Sequence, residues 1–271
     1  MLGLSRGGEW SWGYYGKHPS VGDFVLSGDD RGGTGVLFRW IERGFQAFLR
    51  QRRGKTYRGD RTWHFWMGGR KRGWLICGTV KDSWDSHGRP FPFAVVGMGT
   101  LSMWEDHWEL LPYALRKSWQ RMEALSAERH LEGGKRWFVP PEAKWDDFGE
   151  EASRDLKGTP LESLGLNRQG AFALARRIRD DYLTQGVTRV SFRTTAGQAV
   201  IGAFVYRILR GLPLPTASFL GGGGMSSTVW IFGRPLRNED FVKLWSPSEA
   251  EAGTGEGGEG LSLAQVVEEV S

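Results

Sequence analysis

One cysteine, Cys77, stands in 271 residues, and no apolar run is long enough to cross a bilayer. A lone thiol closes no internal disulfide, which excludes a disulfide-stapled scaffold and suits a reducing, cytoplasmic compartment. The opening MLGLSRGGEW lacks the apolar stretch of a signal peptide, so no leader and no membrane insertion are expected. The five histidines, at 18, 64, 87, 107 and 130, are scattered singly, with no CxxC and no HExxH; no metal or cofactor is expected. No GxGxxG follows a convincing strand. The most glycine-dense stretch, SFLGGGGMSST (218–228), has Met225 where a phosphate loop wants lysine, and reads as a flexible connection.

What the chain does have is ring area: 14 Trp and 15 Phe beside 40 Gly. Large rings bury much apolar surface each, so a glycine-rich chain still gains a substantial core. Most Trp fall at core spacing, such as Trp63 with Trp66 and Trp108 with Trp119, which favours packing over stacking on sugars or bases. Charge is polarised. Residues 39–72 carry eleven Lys or Arg against two acids, whereas 246–271 carry six Glu and no basic residue. A basic segment can meet nucleic acid, acidic lipid or an acidic protein face, but a solvated helix end and loop is the simpler reading.

Aromatic density predicts a strand over Trp10–Tyr15, and GDDRGGTG (28–35) a turn, with Thr34 capping a helix over Val36–Gln51. Strands follow at 63–67, 73–80 and 92–98. Apolar residues recur every three or four positions from Trp104 to Arg129, with a kink or break expected at Pro112. Residues 133–168 read as irregular. A helix over Gly170–Thr184, strands over 187–194 and 227–233, and a short helix capped by Asn238 over 238–245 complete the set. The order of elements predicts an α+β fold: a single domain over 1–245 with a central, mostly antiparallel sheet flanked by helices. Residues 246–271 form an acidic Gly/Glu-rich extension, expected to be flexible, that ends in a short helical pattern, LSLAQVVEEV.

Three stretches carry candidate chemistry. YYGKHPSVGDFV (14–25) places Lys17, His18, Ser20 and Asp23 within seven residues, enough for a base, a nucleophile and an orienting acid in principle. DSWDSHG offers Asp82, Asp85 and His87 to a cation, although Asp and Ser also populate turns by bonding nearby backbone. Cys77 in GWLICGT reads as a buried small hydrophobe, and Glu105, Asp106 and Glu109 as an acidic helix start.

Taken together, the motifs resemble the TagF (ImpM) proteins, accessory proteins of the bacterial type VI secretion system. YYGKHPSVGDFV is similar to the Gly-Lys-x-Pro-Ser-x-Gly-Asp-Phe signature of that family, with Lys17, Pro19, Ser20, Gly22, Asp23 and Phe24 in place. DSHGRPFPFAVV (85–96) is similar to its Asp-x-x-Gly-Arg-x-Phe-Pro segment, with Asp85, Gly88, Arg89, Phe91 and Pro92. STVWIFG sits where the family has Ser-x-Trp-Trp; here Trp230 is kept and Ile231 departs. The resemblance implies a non-enzymatic, cytoplasmic repressor of the secretion system that binds its FHA-domain scaffold protein. The alternative is a nucleic-acid or anion binder using 39–72, although nucleic acid is not the expected partner. On this reading the glycines and prolines bend the chain, and Asp23 is expected to pair with Arg89, tying two loops together on one face.

Overall fold

A computed structural model of the chain describes residues 10–28, 33–52, 57, 59–128, 139–223, 226–246 and 262–270. Alternation of side chains builds the centre of the molecule. In β3 (Thr62–Gly68), Trp63 and Phe65 point to one face of the sheet and Trp66 to the other, and all three are buried. β4 (Trp74–Lys81) repeats the pattern, with Ile76 and Val80 on the first face and Leu75 and Cys77 on the second. A strand covered on both faces reads as a continuous apolar run, which explains WHFWM and WLIC.

β1 (Ser11–Lys17), β2 (Phe24–Ser27) and β5 (Phe93–Thr100) extend the sheet on one side. β7 (Ala217–Gly222), β8 (Ser226–Phe232) and β6 (Val187–Arg193) extend it on the other. The strand order is β2-β1-β5-β4-β3-β7-β8-β6, and every adjacent pair runs antiparallel. The predicted α+β class, with a central antiparallel sheet flanked by helices, is the one observed.

Two helices cover one face: α1 (Gly33–Gln51) and α7 (Asn238–Trp245). α1 buries Leu37, Phe38, Ile41, Phe45 and Phe48 and leaves Arg39, Glu42, Arg43 and Arg50 outward. The other face carries α2 (Leu111–Ala114), α3 (Arg116–Ala127), α4 (Trp145–Gly158), α5 (Arg168–Gln185), α6 (Gln198–Ile208) and α8 (Leu263–Val270). Burying a Leu, Ile or Phe side chain contributes roughly 1.5–3 kcal/mol. The larger core also holds a polar thread: Trp66 Nε1 donates to Tyr206 Oη at 3.0 Å, Tyr206 to Ser218 Oγ at 2.7 Å, and Ser218 to the Trp230 carbonyl at 2.7 Å. The thread satisfies groups that would be costly to bury alone.

Several elements differ from expectation. The pattern from Trp104 resolves into turns, a 3-10 turn at Trp108–Leu110, α2 and α3, with Pro112 in the first turn of α2 where its missing N–H costs nothing. Of the acidic helix start, Glu105 instead accepts the Gly73 N–H. Residues read as irregular contain α4, whose Trp145, Ala152 and Leu156 are buried, and a 3-10 turn at Leu161–Leu164. α6 has no apolar stripe because it is buried nearly all round. Of the glycine stretch, residues 218–222 belong to strand β7 and 226–228 to β8, while Gly224 and Met225 lie outside the described residues; Gly221, at φ +143°, brings its backbone so close to β3 that a Cβ would stand 2.0 Å from the Thr62 carbonyl oxygen. Thr34 lies inside the first turn of α1. The N-cap of α7 is Arg237 and not Asn238; Asp240 accepts the Arg237 N–H at 2.8 Å and pairs with Arg234 at 2.7 Å. LSLAQVVEEV forms α8, which docks Leu263, Ala264, Val266 and Val267 against α4, α5 and α6. The acidic residues 247–261, expected to be flexible, lie outside the described residues, as do Asp29 to Gly32 of the predicted turn. Among the described residues, no helix is long and apolar enough to cross a membrane.

Candidate functional site

The end of β1 and the connection from β4 to β5 meet at one end of the sheet. β1 approaches β5 closely at Gly16, whose φ of +130° and whose position leave no room for a side chain: a Cβ would sit 2.0 Å from the Pro92 carbonyl oxygen. After Gly16 the chain presents Lys17 and turns through 18–23, with the Val21 N–H donating to the His18 carbonyl at 3.0 Å. The second connection closes through a bridge between Trp84 and Pro90.

Asp85 joins the two. It is 1% exposed, and its carboxylate receives four donors. Oδ1 accepts the backbone N–H groups of His87 at 3.0 Å and Arg89 at 2.9 Å. Oδ2 meets Arg89 Nε at 2.7 Å and Lys17 Nζ at 3.0 Å. Desolvation pushes the carboxyl up, but the bonds from Arg89, Lys17 and His87 outweigh it and hold the group far below the ordinary carboxylate range. Arg89 then reaches across: its Nη2 donates to the Gly22 carbonyl at 2.6 Å, while the Ser86 N–H donates to the Val21 carbonyl at 2.9 Å.

The two loops are therefore tied on one face, but not by the expected pair. Asp23 is exposed, and its Oδ1 accepts the Phe24 N–H at 2.8 Å. A carboxylate one residue before a strand bonds the nearest free donor, and Arg89 lies closer to Asp85, four residues upstream. Asp23 makes no hydrogen bond to His18 among the described residues. The His18 Nδ1 lies 2.7 Å from Ser20 Oγ and accepts the Ser20 N–H at 3.3 Å, which leaves the proton on Nε2. Burial, then the neighbouring Lys81 ammonium, push this imidazole below its usual range.

Beside Asp85, Asp82 is bonded to neutral donors. Tyr57 Oη donates to it at 2.6 Å, Trp245 Nε1 at 2.7 Å and the Arg61 N–H at 2.9 Å; burial nonetheless raises its carboxyl. The lone pairs of Asp82 and Asp85 are thus engaged by protein donors, and no cluster of metal-ligating side chains occurs among the described residues. Cys77 is fully buried in the larger core, where desolvation drives its thiol far upward.

Around the charged tie stands a ring of aromatics. Phe91 is buried, with Phe24 edge-on at 4.7 Å and Phe45 at 5.2 Å. Lys17 Nζ lies 5.3 Å from the Phe24 ring centroid. Pro92 is buried and Phe93 packs against His18. Pro19, Ser20, Gly88 and Arg89 are exposed. So are three large apolar side chains: Phe24 at 45%, Trp84 at 47% and Leu26 at 55%. Phe24 and Leu26 lie on β2, the edge of the sheet.

Residues 13–134, just under half of the chain, match the family model of the TagF N-terminal domain, described as type VI secretion system-associated. This segment is similar to the TagF N-terminal domain. The matched segment supplies β1 to β5 and α1 to α3, and both loops of the tie lie within it. A similar solved structure is that of PA0076 from Pseudomonas aeruginosa PAO1, with 19% identity, a TM-score of 0.46, and coverage of 89% of this chain and 96% of that one. No curated protein matches the chain. Trp230 lies outside the matched segment, on β8 in the far half of the sheet; it stacks on Phe232 with centroids 6.0 Å apart and does not reach the tie.

The sequence reading named Asp85 without its role as the hub and missed Lys81, Trp84 and Leu26. Apolar residues inside an alternating strand look like core, and only the pairing order reveals that β2 is an edge. Among the described residues, the basic stretch does not form one patch. Arg39, Arg43 and Arg50 face outward from α1, Arg52 lies over the Phe48 and Tyr57 rings at 5.6 and 5.3 Å, and Arg72 meets Asp106 at 3.7 Å beyond the β3–β4 turn.

Proposed function

We propose that this chain is a non-enzymatic repressor of type VI secretion that acts in the cytoplasm by docking on a protein of the machine. The FHA-domain scaffold that the motif resemblance implies is the partner we name. The observation that carries this reading is the division of labour at the tie. Its charged groups are engaged with one another and fix the shape of two loops, while Phe24, Leu26 and Trp84 stand exposed around them. Apolar and aromatic side chains on a rigid frame are the usual anchors of a protein interface. The position of Asp23 supports a binding role over hydrolysis, because its carboxylate caps the Phe24 N–H and does not orient His18. Repression then follows from occupancy: a scaffold held by this face is withdrawn from its assembly-competent state.

Deleting the protein is expected to raise secretion by the intact system. Returning the chain with Phe24→Ser and Leu26→Ser together should restore folded protein but not repression, and should remove capture of the scaffold in a pull-down. Unchanged secretion after deletion, or full repression by the double variant, would overturn the proposal.

A further inference from the structure

The sheet has two edges, and they are finished differently. β6, at one end of the strand order, carries Arg189 and Arg193, charged side chains of the kind that discourage a further strand. β2, at the other end, carries Phe24 and Leu26, both exposed. Phe24 packs on Tyr15 and Phe91, so it and Leu26 face the α1 side, while Val25 packs against the larger core. Two contacts show which backbone groups of β2 point away from β1. The Ser27 carbonyl faces β1, since a Cβ at Gly13 would stand 2.7 Å from its oxygen. The Phe24 N–H faces away and donates to Asp23 Oδ1 at 2.8 Å. Successive residues alternate, so Val25 and Ser27 bond β1 at Gly16 and Tyr14, whereas Phe24 and Leu26 turn their amides and carbonyls outward. Among the described residues, the Leu26 N–H and the Phe24 and Leu26 carbonyls have no backbone partner.

Open backbone groups two residues apart match the backbone of another strand, whose donors and acceptors repeat at that spacing. We propose that β2 takes an added strand from a partner protein: an extended segment with apolar side chains at every second position. Its backbone bonds the Phe24 carbonyl and both groups of Leu26, and its apolar side chains cover Phe24 and Leu26 on the α1 side. Asp23 keeps the Phe24 N–H and so marks where the new ladder ends. A partner helix fits less well, because its own backbone groups are bonded internally and would leave those of β2 unpaired. The inference rests on reading this face as a docking surface; it adds what kind of segment docks and does not require repression.

The test is hydrogen exchange of the full chain, read at single amides, alone and with two probes: the purified FHA-domain scaffold and the blocked peptide acetyl-Thr-Val-Thr-Val-Thr-amide. In the free chain the Leu26 amide is expected to exchange at least tenfold faster than those of Val25 and Ser27. The peptide at saturation should slow it at least tenfold, and the same peptide with proline at its centre should not. Leu26→Pro, which removes the outward N–H and suits an edge strand, should abolish binding of both probes, whereas Leu26→Ala should weaken it less than tenfold. Should Leu26→Pro fail to fold, a backbone ester at the Leu26 nitrogen removes the same donor and keeps the side chain. Peptide protection without scaffold binding supports the added strand and overturns the choice of partner. Three results would overturn the inference: equal losses in Leu26→Pro and Leu26→Ala, no protection by the peptide, or protection that rises with protein concentration alone, the mark of a second copy on the edge.

Discussion

Asp82 and Asp85 stand three residues apart on one connection, both withdrawn from water, yet they are held by opposite means. Asp85 is surrounded by cations and backbone N–H groups, and its charge is what ties two loops together. Asp82 takes a phenol, an indole and one backbone amide, with no cation in direct contact, and fastens the end of α7 to the sheet through Trp245. The first arrangement requires the ionised form, whereas the second tolerates a proton. A carboxylate in a loop motif is therefore not a function in itself; its donors decide what it does.

The largest way to break this comparison is Gly16→Ala. A Cβ there overlaps the Pro92 carbonyl at a φ that L residues avoid, and a cost above about 3 kcal/mol is expected in chemical denaturation. Hydrogen exchange should quicken around the Asp85 tie before it does around Trp245. Next is Asp85→Asn, which leaves Lys17 buried without its counter-charge. Its thermal midpoint should fall further than that of Asp82→Asn, and adding Lys17→Met should return part of the loss, which a double-mutant cycle would measure.

Tyr57→Phe tests the neutral node. Removing the shortest donor to Asp82 should cost roughly 1–3 kcal/mol and move the Asp82 carboxyl further up, visible by carbon NMR of the side chain. Titration of the wild type sharpens the contrast. From the ordinary value of 3.8, Asp85 is shifted down and Asp82 up. Asp85 thus stabilises the fold above 3.8, and this is lost as pH falls towards its lowered folded value. Asp82 favours the fold most below 3.8 and loses that contribution as pH rises through its raised value. The two should report opposite slopes; parallel slopes would refute the assignment. The smallest effect on stability belongs to Phe24→Ser, under about 1 kcal/mol because the ring is 45% exposed, although its effect on docking should be large.

Much of the architecture was legible because apolar alternation and three-to-four spacing are local signals. β1, β3, β4, β5, β6 and β8, the helices α1 and α5, and the α+β class all followed from them. β7 and α6 did not. In β7, glycine serves close approach to β3, and in α6 burial all round erases any stripe. The site was legible as a pair of motifs but not as a geometry. Two loops 67 residues apart in sequence offered several acids and cations, and only the fold shows that Arg89 bonds Asp85 and the Gly22 carbonyl while Asp23 turns to its own backbone.

The pairing of β3 with β7 bears on how the chain is made. At register Phe65 to Phe219, the middle of the sheet is sealed by a strand translated long after its neighbour. Until then β3 offers a seven-residue row of open amides and carbonyls, flanked by tryptophans, to any other nascent polypeptide. A fragment ending near residue 134 would keep that sticky border for good, so the recognisable N-terminal portion should behave as an unfinished object and precipitate when expressed by itself.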